Sequence, residues 1–136
     1  MNVIIRKTSP SDLEGIKDLA LFADAEDMDL ATHSYKLLEV TDPVILSYVA
    51  EVDGRIAGFN VGFVLPSGCL IPEGMYVANE YRRKGIAKGL SEALEKGSRC
   101  NISMAYYKPN LKEYYSELGY SSGDNVIVGI KEMEEK

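Results

Sequence analysis

Histidine and cysteine are scarce in this sequence, which has one histidine and two cysteines among 136 residues. Cys69 and Cys100 are isolated and form no CxxC pair, so the sequence predicts neither a metal site nor a disulfide framework. The same pattern favours a reducing cytoplasm as the compartment. The single histidine, His33, lies in a polar segment and is better interpreted as a surface residue than as a catalytic base.

Positive charge is also in short supply, because 15 Lys and Arg residues face 21 Asp and Glu residues and leave a net charge of −6. An acidic surface repels polyanions, so binding to nucleic acid or to an anionic membrane is not expected. Long apolar runs are missing as well, and the first residues, MNVIIRKTSPSD, do not resemble a signal peptide. These features predict a protein that attracts cations rather than anions.

The remaining composition is that of a globular protein, with 46% apolar and 26% charged residues. A chain of this length suits one domain, and no repeat, linker or low-complexity segment interrupts it. We therefore predict a single domain over residues 1–136.

Alternating and β-branched apolar residues predict six strands. They cover residues 2–7, 44–52, 55–66, 69–78, 101–108 and 125–133. Asp53 and Gly54 form a turn pair between the second and third strands, because both residue types tolerate the positive φ angles of a tight hairpin. Pro72 and Gly74 interrupt the fourth strand, where a bulge or bend is expected.

Apolar residues at helical spacing predict three helices and a weaker helical segment. The helices begin at about residues 9, 85 and 109, and the weaker segment covers residues 32–38. The first helix has two alternative caps. Either Ser9 caps it, with Pro10 in the first turn, or Ser11 begins a capping box with Glu14. Hairpin strands followed by alternating strands and helices indicate an α+β fold.

The segment YVANEYRRKGIAKGL gathers positive charge at a glycine where a helix begins. The glycine is Gly85, and the cations around it are Arg82, Arg83, Lys84 and Lys88. The first amides of a helix have no intrahelical partner, and a glycine lets a bulky anion approach them. Spacing alone therefore indicates either a site for a phosphate-containing ligand or a basic turn that faces solvent and binds nothing. The segment matches neither the GxxxxGK[ST] loop nor the GxGxxG fingerprint.

The stretch GMYVANEYRRKGIAKGL resembles the acetyl-CoA-binding motif of the GNAT superfamily of N-acetyltransferases. The family pattern Arg/Gln-x-x-Gly-x-Gly/Ala is matched, in a strand–turn–helix context, by Arg82, Gly85 and Ala87. A second landmark, YYSELGY, resembles the end of the family's late helix, with matches at Tyr115, Gly119 and Tyr120. The order of the predicted elements agrees with the family, so the resemblance extends over nearly the whole chain.

The resemblance implies a three-layer α/β/α arrangement, in which helices flank a mixed, mostly antiparallel sheet. The strand that carries Met75 is expected to splay from the strand over residues 103–106. Acetyl-CoA, the implied cosubstrate, would lie in that opening, and no metal is implied. Its binding residues would be Met75, Tyr76 and Val77 for the pantetheine, Arg82, Arg83, Lys84, Gly85, Ile86, Ala87 and Lys88 for the pyrophosphate, and Asn110. Asn110 is the asparagine nearest to a position that the family often fills with asparagine and that is Lys108 here.

For catalysis, the resemblance assigns the general acid to Tyr115, whose hydroxyl would protonate the departing CoA thiolate. From its helix position alone, Tyr115 is a packed aromatic residue like Tyr114. Glu73, at the strand bend, is the candidate base for the acceptor amine, with a solvated rim carboxylate as the equal alternative. A backbone amide near Tyr76 or Val77 would stabilise the oxyanion.

The predicted acceptor is an amine of a small molecule or of a protein. Glu26, Asp27 and Asp29 are candidates for binding it, although these residues also fit an ordinary acidic loop. The favoured function is an N-acetyltransferase that acts as a monomer or homodimer. The alternative is a non-catalytic acyl-CoA-binding or sensor module of the same fold. Tyr115 and Glu73 favour the enzyme, because a sensor needs neither.

Overall fold

The described residues of the unit over residues 1–106 form a six-stranded sheet with a helix packed on each face. The structure is a computed structural model. It describes residues 1–23, 36–39, 42–107, 109–122 and 129–134. Residues 107–136 form a second unit, and the single domain expected over residues 1–136 stays a prediction.

The sheet is mixed and mostly antiparallel. Its strands are β1 (Val3–Lys7), β2 (Ile45–Leu46), β3 (Tyr48–Val52), β4 (Arg55–Val64), β5 (Cys69–Val77) and β6 (Ile102–Ser103). Their order is β1-β3-β4-β5-β6, and β2 also pairs with β4. The β5–β6 pair is parallel, whereas the other pairs are antiparallel. This pairing confirms the predicted type of sheet.

The hairpin between β3 and β4 turns at Asp53 and Gly54, which have φ angles of 49° and 83°. Positive φ at both positions matches the twist of the flanking strands and closes a two-residue turn. The predicted hairpin is therefore confirmed. The ten-residue strand β4 then pairs with β2, β3 and β5 and forms the centre of the sheet.

Two helices cover opposite faces of the sheet. They are α1 (Leu13–Ala23) and α2 (Ile86–Ser98). Ile16 of α1 shares a core cluster with Tyr76, whereas Ile86 of α2 shares another with Val77. Because Tyr76 and Val77 are consecutive in β5, their side chains point to opposite faces. The expected three-layer α/β/α arrangement is thereby confirmed.

The ladder between β5 and β6 is shorter than predicted. A strand was expected over residues 101–108, but the ladder has two residue pairs and ends at Leu70 and Ser103. β5 continues beyond it to Val77. The two strands are thus paired at one end only, as expected for a splayed pair. Because the ladder ends at this point, the described residues after Ser103 have no ladder partner in β5 and do not extend the strand.

The N-terminus of α1 is set by a 3-10 turn at Pro10–Asp12. Asp12 Oδ2 accepts hydrogen bonds from the Ser9 amide at 2.8 Å and from Ser9 Oγ at 3.1 Å. These contacts satisfy donors at the start of the helix that have no intrahelical partner. Of the two predicted caps, the one with Ser9 and Pro10 is confirmed.

Replacing Asp12 by asparagine is expected to lower the free energy of unfolding by about 2 kcal/mol near neutral pH. The Asp12 side chain is 6% exposed, and two hydrogen bonds of 2.8 Å from the Arg6 guanidinium lower the pKa of Asp12 from 3.8 to about 2. A carboxyl with a lowered folded pKa gives stability that is present above its unfolded pKa and is lost as the pH falls through the folded one. Urea unfolding near pH 7 and near pH 2 measures both effects.

Glu51→Gln is the matched control for this prediction. Glu51 Oε1 lies 3.0 Å from the same guanidinium of Arg6, but its side chain is 27% exposed. Solvent screens that pair more strongly, so its loss is expected to cost less. Equal urea midpoints for the wild type and Asp12→Asn near neutral pH would contradict the prediction.

The described part of residues 107–136 contains the helix α3 (Lys112–Glu117), which follows a 3-10 turn at Pro109–Leu111. The helix predicted near residue 109 is therefore confirmed. The predicted final strand is wrong for its described part, because residues 129–134 lie outside helices and strands. Ile130 and Met133 are 89% and 77% exposed there, and alternating apolar residues specify a strand only where one face is buried.

Candidate active site

β5 contains a β-bulge whose extra residue is Glu73. In the ladder with β4, Val61 pairs with Gly74 and Gly62 pairs with Pro72, so Glu73 is inserted between two regular pairs. The bend predicted at Pro72 and Gly74 is therefore confirmed. A bulge turns a side chain out of the regular alternation of its strand. It leaves Glu73 partly exposed, and the role of Glu73 as a base stays a prediction.

Glu73 is held by a tyrosine that the sequence did not single out. The Tyr106 hydroxyl donates a hydrogen bond of 2.6 Å to Glu73 Oε1. That bond, with some burial, raises the pKa of Tyr106 to about 12. Tyr106 therefore keeps its proton at neutral pH and acts as a hydrogen-bond donor to the carboxylate. The sequence signal was weak, because Tyr106 looked like one aromatic residue among the nine tyrosines of the chain.

The expected pantetheine-binding residues, Met75, Tyr76 and Val77, form the end of β5. Tyr76 is 8% exposed and packs on the α1 side of the sheet, whereas Met75 and Val77 pack on the α2 side. The side chains of these three residues thus pack against the core. What this strand offers to a ligand is its backbone, in the part of β5 that runs past the β6 ladder.

Arg82 ties the turn after β5 back to the strand. Its Nε donates a hydrogen bond of 2.9 Å to the Val77 carbonyl, and its guanidinium carbon lies 5.4 Å from the centre of the Tyr76 ring. The first residue of the basic motif therefore has a structural role in addition to its charge. It fixes where the turn leaves the sheet.

The turn that follows presents backbone amides at the start of α2. Gly85 is the N-cap residue with φ at 78°, a left-handed conformation that glycine adopts at little cost. The first helical hydrogen bond is donated by Gly89 to the Gly85 carbonyl at 3.0 Å, so helix formation leaves the preceding amides available. Apart from its neighbours in the chain, a Cβ on Gly85 would meet no atom of the described residues within 4 Å. Ile86, 2% exposed, anchors the helix beneath this open space.

The basic side chains of this turn face water. Arg83, Lys84 and Lys88 are exposed, and Lys88 has a loose contact of 3.9 Å with Glu92. Arg83 is itself left-handed, with φ at 63°, which is uncommon for a residue other than glycine and is often found at functional sites. Residues 82–88, hereafter the basic turn, thus combine backbone amides, an open face and positive charge, which together suit a phosphate group.

Tyr115 belongs to the second unit and is surrounded by other tyrosines. Its ring stacks on Tyr107 at 4.1 Å between centroids and 4° between planes, and it makes edge contacts with Tyr114 and Tyr120 at 5.3 and 5.6 Å. Burial, followed by the neighbouring Tyr120 and Tyr107, raises the pKa of Tyr115. Asn110 is exposed in the 3-10 turn before α3. The roles of Tyr115 and Asn110 stay predictions.

Some predicted residues fall outside the described part of the chain. They are Glu26, Asp27, Asp29, His33 and Lys108. In the described ranges, no group of three or more His, Cys, Asp or Glu residues is arranged to hold a metal ion. No helix in the same ranges is long and apolar enough to cross a bilayer.

The family assignment rests on a match to a sequence model. A model described as an acetyltransferase (GNAT) domain matches residues 44–122, more than half of the chain. This chain belongs to the GNAT acetyltransferase family. The match includes Glu73, the basic turn and Tyr115, so the three features named from the sequence all lie within the GNAT domain.

Solved structures agree on the GNAT fold. The aminoglycoside N-acetyltransferase AAC(6')-Iy, in complex with a bisubstrate analog of CoA, has a TM-score of 0.75 at 20% identity and covers 98% of this chain and 100% of its own. A ribosomal-protein-alanine N-acetyltransferase from Brucella melitensis biovar Abortus reaches 0.73 at 19% identity, covering 97% and 100%. Glucosamine-6-phosphate N-acetyltransferase from Arabidopsis thaliana reaches 0.65 at 18%, with the same coverage. No curated protein sequence matches the chain.

Proposed function

We propose that this protein is an N-acetyltransferase that transfers an acetyl group from acetyl-CoA to a primary amine in a ternary complex. The observation that carries this proposal is the basic turn, where a left-handed Gly85 opens the first amides of α2 within a GNAT domain match. We further propose that it acts in the cytoplasm, as a monomer or homodimer, without a metal ion.

Acetyl-CoA would be bound mainly through backbone groups. The pyrophosphate would accept hydrogen bonds from the amides of residues 83–88, where the positive end of the helix dipole adds attraction. The side chains of Arg83, Lys84 and Lys88, which face water, would meet the nucleotide end. The pantetheine would pair with the backbone of Met75 and Val77 like an added strand.

The proposed chemistry is direct attack of a neutral amine on the thioester. A C–N bond forms, Glu73 takes the proton that the nitrogen loses, and a backbone amide near Tyr76 or Val77 stabilises the oxyanion. The C–S bond then breaks, and Tyr115 gives its phenolic proton to the thiolate, which leaves as CoA. Proton exchange through solvent returns Glu73 and Tyr115 to their starting states.

Thiol release from acetyl-CoA, measured over a panel of amines, tests the proposed function. Turnover with at least one amine well above the rate of spontaneous hydrolysis supports it. Calorimetric binding of acetyl-CoA without turnover by any amine would contradict it, and would favour a non-catalytic acyl-CoA-binding module.

Cationic acceptors are expected to react faster than anionic ones. The chain has a net charge of −6, and we propose that Glu26, Asp27 and Asp29 contribute to binding the acceptor. Salt screens attraction of this kind, so kcat/KM should fall several-fold as ionic strength rises from about 0.01 to about 0.5 M. A variant with those three residues changed to Gln and Asn is the control, and it should lose much of the salt dependence. Faster turnover of anionic amines, insensitive to salt, would overturn this expectation.

A further inference from the structure

We propose that Tyr106 is a positioning residue for Glu73, an inference that rests on the proposed function. Its hydroxyl would hold the Glu73 carboxylate in the orientation from which it accepts the proton of the acceptor amine. The carrying observation is the hydrogen bond of 2.6 Å from the Tyr106 hydroxyl to Glu73 Oε1.

The fold brings these two residues level with each other. The parallel ladder between β5 and β6 ends at the pair Leu70 and Ser103. Glu73 and Tyr106 each lie three residues beyond that last pair, and a side-chain hydrogen bond joins them there. Glu73 is also the inserted residue of the β-bulge, which frees its side chain from the regular alternation of β5. The hydrogen bond between Tyr106 and Glu73 therefore connects the two segments beyond the end of the β5–β6 ladder.

The contact suits a proton acceptor. A long carboxylate side chain at a partly exposed bulge can adopt several rotamers, and the hydrogen bond from the Tyr106 hydroxyl restricts them. On the neighbouring strand β4, the residues opposite the bulge are Val61 and Gly62, and neither has a titratable side chain. Tyr106 itself keeps its proton at neutral pH, since its pKa is raised to about 12.

A purely structural role makes a different prediction. If the contact of Tyr106 with Glu73 only braced the opening between β5 and β6, its loss would alter the binding of acetyl-CoA in that opening. A positioning role acts on the chemical step, so its loss would lower kcat and leave the acetyl-CoA Kd unchanged.

A double-mutant cycle separates these roles. Tyr106→Phe removes the hydroxyl and keeps the ring, and it should lower kcat by about fivefold with an unchanged acetyl-CoA Kd. In a Glu73→Gln background the same substitution should have no further effect, because the group that it positions is gone. Tyr114→Phe is the matched control; it keeps the ring and its edge contact with Tyr115 and is expected to change neither quantity.

The contact itself can be observed without activity. NMR of ring-labelled tyrosine should find the pKa of Tyr106 near 12 in the wild type and closer to its ordinary value of 10 in Glu73→Gln. An identical Tyr106 titration in both proteins would overturn the proposal. So would equal losses of kcat from Tyr106→Phe in both backgrounds, or a loss confined to the acetyl-CoA Kd. Either kinetic result, obtained with an active wild type, leaves the proposed function standing. A wild type inactive toward every amine overturns the function and the positioning role together.

Discussion

Replacing Tyr115 by phenylalanine is expected to lower kcat by about 10²-fold while the affinity for acetyl-CoA hardly changes. The substitution removes one hydroxyl and keeps the ring that stacks on Tyr107. If Tyr115 protonates the departing thiolate, the lost interaction is one that is made in the transition state. Such a loss lowers kcat, whereas the loss of a binding contact raises KM.

The surroundings of Tyr115 suit the role of a proton donor. Burial and the nearby rings of Tyr120 and Tyr107 raise its pKa, so the phenol is protonated at neutral pH. The stacked ring of Tyr107 and the edge contacts of Tyr114 and Tyr120 restrict the Tyr115 ring. A restricted donor is already oriented when the thiolate forms, which is where general acid catalysis gains its advantage.

Tyr114→Phe is the internal control for this experiment. Tyr114 lies on the same helix, α3, and burial also raises its pKa, but it does not match the family motif. The two variants should be compared by single-turnover kinetics, because slow product release hides an effect on the chemical step. If both substitutions lower kcat slightly and equally, Tyr115 contributes only to packing, and water is the acid that protonates the thiolate.

The features that the sequence predicted well are those decided by a few neighbouring residues. The hairpin at Asp53 and Gly54 depends on the φ angles that these two residues tolerate. The start of α2 likewise depends on Gly85, which is observed in the left-handed conformation. The bulge at Glu73 follows from Pro72, which lacks an amide donor, and from a flexible Gly74. In each case the conformational preferences of neighbouring residues were sufficient to predict the backbone feature.

The features that the sequence missed depend on residues far apart in the chain. Tyr106 contacts Glu73 across 33 positions, and nothing near Tyr106 indicates that partner. The length of β6 depends on how many residues of β5 pair with it. The sequence NISMAYYK carries no information about that pairing. The predicted final strand failed at Ile130 and Met133 for a related reason, since alternation does not say whether a partner face exists.

Replacing Gly85 by glutamate is expected to weaken acetyl-CoA binding by at least about tenfold, or roughly 1.4 kcal/mol. A Cβ at this position would meet no described atom within 4 Å apart from those of its neighbours in the chain. In the proposed complex, the pyrophosphate fills that space. The new carboxylate would therefore meet the phosphates both sterically and as a like charge. Isothermal titration calorimetry of the folded variant measures the loss.

Gly54→Glu separates this effect from the consequences of backbone strain. Gly54 has φ at 83°, close to the 78° of Gly85, and its Cβ position is equally open to the described residues. Both substitutions force a non-glycine residue into a left-handed conformation, at a cost of about 1 kcal/mol in folding stability. They also add the same charge, but Gly54 lies in the β3–β4 hairpin rather than at the helix start. If the two variants bind acetyl-CoA equally well, the pyrophosphate does not lie on the amides of the basic turn. A loss specific to Gly85→Glu assigns it to them.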